Sequence, residues 1–61
     1  MNKAMKLECA RSAIANFVNR ANQANYDAAI RSIVKCGKSA KCARTMLEKR
    51  VSFARTFAPL K

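Results

Sequence analysis

One glycine, Gly37, and one proline, Pro59, are the only strong helix breakers in this 61-residue chain. Alanine, the best helix former, occurs twelve times. A chain with so few interruptions and so much alanine is directed toward helices joined by short turns. Sixty-one residues make one small domain, spanning 1–61, with room for a modest core. The strong hydrophobes Ile, Leu, Val, Met and Phe number fifteen. Helix contacts must therefore be made largely by thin alanine faces. The fold class expected is all-α: a three-helix unit, either monomeric or completed as a helical homodimer.

Hydrophobic spacing places the helices. Over residues 3–22, Leu7, Ala10, Ile14, Phe17, Val18 and Ala21 recur every three or four positions, with Arg11, Asn16, Asn19 and Arg20 read as facing away. The Asn22-Gln23-Ala24-Asn25 stretch breaks that pattern. Asn25 is the expected N-cap of a second helix over 26–36, with Asp27 in its first turn, where a carboxylate suits the helix dipole. Tyr26, Ala29, Ile30, Ile33 and Val34 form its apolar face. Gly37 then stands where a left-handed terminator is needed, and Ser39 is a capping residue for a third helix over 39–57. At 100° per residue, Ala43, Met46, Leu47, Val51, Phe53, Ala54 and Phe57 share a broad apolar arc. Lys41, Arg44, Thr45, Ser52 and Arg55 occupy the opposite arc with Glu48 among them, Lys49 borders it, and Arg50 falls within the apolar one. Pro59 stops the helix, and Leu60 and Lys61 are read as frayed.

Charge narrows the function. Thirteen Lys and Arg stand against Glu8, Asp27 and Glu48, for a net charge of +10. Residues 35–61 carry eight of the cations and one of the acids. Such a field attracts phosphate polymers, anionic lipid or acidic protein. Catalysis has little to stand on: there is no histidine and no carboxylate pair at useful spacing, so no enzyme, cofactor or small-molecule substrate is expected. Three cysteines without histidine make a poor metal set, and none is assigned. Their odd number fits reduced thiols and a cytoplasmic location. The longest uncharged run, residues 12–19, is too short for a signal peptide core or a transmembrane segment.

Several short motifs stand or fall on their chemistry. Gly37-Lys38-Ser39 is no P-loop, because the glycine required five positions earlier is Ser32, within a helix. Helix, glycine turn and basic helix also outline a helix-turn-helix, but Ile33 stands four before the glycine, where a small residue belongs, and helix 39–57 is long for a recognition helix. The four aromatic rings lie on apolar faces, away from any role in stacking on bases. A basic amphipathic helix with Phe53 and Phe57 beside Arg50 and Arg55 could lie on anionic membrane, although three such helices can cover one another's faces. Cys42, in the first turn of the third helix beside Lys38 and Lys41, is the candidate reactive thiol.

Two functions follow. The first is a nucleic-acid-binding accessory protein, contacting DNA or RNA phosphates through Lys38, Lys41, Arg44, Lys49 and Arg55, with Arg50 a marginal addition. The alternative is a protein-interaction module, a homodimer or a modulator docking on an acidic protein through Met46, Val51, Phe53 and Phe57. In size, basicity and alanine content the chain resembles the short accessory proteins of phages and mobile elements, a resemblance of type that rests on no particular residue.

Overall fold

The computed structural model describes residues 3–58. Three α-helices follow one another, α1 (Lys3–Asn19), α2 (Gln23–Lys35) and α3 (Ala40–Arg50), and a 3-10 helix, Ala54–Thr56, is the last element among the described residues. No strand occurs among the described residues. The middle helix organises the packing: α1 lies along α2, and α3 also leans on it. Pro59, Leu60 and Lys61, to which the sequence reading assigns the stop and the frayed end, lie outside the described residues.

The α1–α2 corner is built by two asparagines with divided roles. Asn22, in extended backbone, is the N-cap of α2; its Oδ1 accepts from the Asn25 N–H at 2.8 Å. Asn25 Nδ2 in turn donates to the carbonyls of Arg20 (2.7 Å) and Asn16 (3.4 Å), at the carbonyl end of α1. The cap expected at Asn25 is thus made by Asn22, so α2 begins three residues earlier than its sequence pattern implies and Asp27 falls beyond its first turn. An asparagine amide both accepts and donates, and proximity to the end of α1 commits Asn25 to donating. Asp27 instead accepts from Gln23 Nε2 at 2.9 Å.

The second corner follows its sequence signals. Gly37 has φ +100°, the N–H of Gly37 reaches the Val34 carbonyl at 2.9 Å, and that of Lys38 reaches Ile33 at 3.4 Å. These two bonds are a Schellman termination. Ser39 Oγ accepts from the Cys42 N–H at 3.1 Å and starts α3.

The third helix ends earlier than residue 57. α3 stops at Arg50; Val51 is extended (φ −132°, ψ 110°), and the chain turns before the 3-10 helix. The reason is tertiary. At about 1.5 Å per residue, a helix continued to 57 would carry Phe57 roughly 10 Å further along the axis of α3. Breaking at Val51 lets Ala54 bury completely and turns Phe57 into an aromatic cluster. Phe57 lies 5.6 Å from both Phe17 (81° between planes) and Tyr26 (22°), and Phe17 meets Tyr26 edge-on at 5.5 Å. Gln23 secures the returning chain from both sides: its Nε2 donates to the Ala58 carbonyl at 2.6 Å, and its Oε1 accepts from the Ala58 N–H at 3.1 Å.

The remaining core is thin, as the composition requires. Ala29, Ala43 and Ala54 are fully buried beside Ile30, Ile33 and Leu47. Close helix approach through alanine spares large side chains in a chain that has few of them.

Candidate nucleic-acid interface

On α3 the buried direction is set by Ala43 and Leu47. The exposed residues Lys41, Thr45 and Lys49 recur at four-residue intervals on the opposite side, a stripe about 12 Å long. Thr45 Oγ1 is bonded back to the Lys41 carbonyl at 3.1 Å, which holds the hydroxyl against the helix. Lys38, in the turn, and Arg55, in the 3-10 helix, are also exposed. Arg44 differs. It is half-buried, and its Nε is buried with no hydrogen-bond partner, so part of its guanidinium is turned against the protein.

Five sequence-selected cations are thereby sorted. Lys41 and Lys49 share one outer face with Thr45. Lys38 instead borders a groove with Arg11 and Arg50. Arg55 lies past the chain break, off the helix expected to carry it. Arg11, read from sequence as facing away, lines the same grooves as Leu7, Ile14 and Val18. The signal is present in the spacing: at 100° per residue Arg11 is only about 40° from Leu7 and about 20° from Val18. Its charge, more than its angle, puts it on the polar side of a helical wheel.

Of the alternative interface set, Met46, Val51 and Phe57 pack against the core, while Phe53 is 51% exposed and touches Phe57 at 6.1 Å between ring centres. The break at Val51 separates residues that a continuous helix would have aligned. Shortening α3 to 11 residues brings it to the length of a recognition helix. Ile33, however, occupies the position where that motif needs a small side chain, and it is buried at 2% exposure.

All three cysteines are free thiols. Cys42 is exposed at the start of α3, Cys9 is exposed beside Lys6, Ser32 and Lys35, and Cys36 is half-buried against the core. Among the described residues no three Cys, Asp or Glu side chains converge in a way that could hold a metal ion. Nor is any described helix long and apolar enough to cross a membrane. Comparison with protein-family models, with curated proteins and with solved structures finds no match.

Proposed function

We propose that this chain is a non-enzymatic, basic accessory protein of the cytoplasm that binds DNA or RNA mainly through phosphate contacts. The observation that carries this reading is the outer stripe of α3, where Lys41 and Lys49 flank Thr45 with all three side chains exposed. Arg55, exposed on the 3-10 helix, and Lys38, exposed in the turn, add to the positive field away from the stripe, and half-buried Arg44 adds its charge from the same helix. Lysines on a solvated helix face are suited to point-charge contact with phosphates, which positions a protein on a polymer without reading its sequence. Affinity on this reading is counterion release, steep in salt and tolerant of sequence.

The test is fluorescence anisotropy of labelled duplex DNA and duplex RNA across a salt series. Micromolar or tighter binding that persists near ~0.15 M salt supports the proposal. Lys41→Ala with Lys49→Ala should weaken binding to all sequences alike and lower the salt slope by about two. Binding that disappears before physiological salt, or a slope the double variant does not change, would overturn it.

A further inference from the structure

We propose that the seam between α1 and α3 is a docking groove for an acidic amphipathic helix of a partner protein, on a surface separate from the outer stripe of α3. Two adjoining grooves, of about 160 and 420 Å³, share Arg11, Ile14 and Arg50 and so form one seam. From α1 come Leu7, Arg11, Ile14 and Val18, at steps of four, three and four residues, one continuous helical stripe. From α3 come Met46 and Arg50, also four residues apart. Ile14 is buried in the floor, whereas Leu7 is 43% and Val18 48% exposed. Leu7 to Val18 spans about 16 Å, three turns of helix, which is the length over which an amphipathic helix engages a groove.

The chemistry of the seam selects its occupant. Its floor is aliphatic and offers nothing to a phosphate backbone, so a nucleic acid would leave Leu7 and Val18 uncovered. Its borders are Arg11, Arg50 and Lys38, and no carboxylate lines either groove. Arginine beside an apolar floor is the pattern of a protein interface, because the planar guanidinium pairs with carboxylate through two parallel hydrogen bonds. A second copy is disfavoured by the same charges. A two-fold contact through this seam would bring the cationic borders of two copies together, with no carboxylate in either to pair them, in a molecule that also carries +10. An apolar ridge bordered by Glu or Asp satisfies both features at once. The sequence alternative, docking on an acidic protein, relies on the apolar arc of the third helix; the seam rests mainly on α1 instead.

The experiment uses the full chain labelled with 15N and a synthetic helical peptide carrying Leu at i, i+3, i+7 and i+10, bordered by Glu. A scrambled peptide of identical composition is the control, both at ~0.15 M salt. The expected result is micromolar binding to the first peptide, at least about tenfold weaker binding to the scramble, and shifts centred on Leu7, Arg11, Val18, Met46 and Arg50. Leu7→Ser with Val18→Ser should weaken binding about tenfold, and Lys41→Ala with Lys49→Ala should leave it unchanged. Arg11→Glu with Arg50→Glu should transfer preference to a peptide bordered by Lys, an outcome that stands even if the serine variant loses its fold. Equal binding of the scramble, shifts centred on Lys41 and Lys49, absence of binding, or self-association through the seam would each overturn the proposal.

Discussion

The aromatic cluster and the α1–α3 seam draw on the same kind of side chain and end in opposite states. In the cluster, Phe17, Tyr26 and Phe57 pack on one another from three segments, and the Gln23 amide ties residue 58 across them. Along the seam, Leu7 and Val18 remain close to half exposed between arginines. Both regions belong to helix faces that read as apolar in the sequence. What separates them is covering material. The chain breaks at Val51 to bring Phe57 over the first region, and no described segment is brought over the second. In a chain this small, one well-closed cluster supplies much of the stability, and the uncovered apolar stripe is left available for a partner.

The largest expected effect tests the closed side. Phe57→Ala removes a ring in contact with both Phe17 and Tyr26 and should cost about 3 kcal/mol, a large share of the stability of so small a domain. Phe53→Ala, at an exposed position, should stay within about 0.5 kcal/mol. Urea denaturation followed by circular dichroism measures both. Comparable losses at the two positions would mean that the chain does not fold back as described, and the contrast between the regions would fall.

A smaller effect belongs to the turn that sets Lys38 beside Arg11 and Arg50. A methyl group at Gly37 would meet no atom within 4 Å, so crowding contributes nothing there. The backbone is another matter: at φ +100° an L-residue is strained, and Gly37→Ala should cost about 1–2 kcal/mol. The same urea titration reads it. A neutral outcome would mean that the turn adopts another conformation, and the placing of Lys38 on the seam would then be lost with it.

The smallest effect has the opposite sign. Tyr26 is fully buried in the cluster and its hydroxyl has no hydrogen-bond partner. A buried polar group without a partner is costly, so Tyr26→Phe should leave stability unchanged or raise it by up to about 1 kcal/mol. Thermal melting would register the change. A clear loss would show that the hydroxyl is hydrogen-bonded in solution and that the cluster is less dry than its rings suggest.

The candidate site is legible in the sequence where geometry is local. The 100° spacing of α3 is enough to put Lys41 and Thr45 opposite Ala43 and Leu47, with Lys49 close by. Gly37 and Ser39 carry their own conformational chemistry, so the second corner can be read from its residues alone. Arg11 is misplaced when a charged residue is assigned to solvent by type, although its angle lies on the Leu7–Val18 stripe. Arg50 stands inside the apolar arc with no reason visible in the sequence; its place on the rim of the seam supplies one. The break at Val51 is not legible at all, since Val51, Ser52 and Phe53 include neither glycine nor proline.

By itself, the sequence determined the helical class, the three helices, the Schellman turn at Gly37, the serine cap and the cationic excess. These depend on intrinsic propensity, on capping chemistry over a few residues and on composition, all of which act within one segment. Tertiary structure decided the rest: which asparagine caps α2, where α3 stops, which aromatic rings are buried and which apolar stripe stays open. Each of these is a competition between a local preference and contacts from a distant segment. The continued helix that residues 51–57 could have formed gave way to burial of Ala54 and packing of Phe57 on Phe17 and Tyr26, which a helix pointing past the core could not reach.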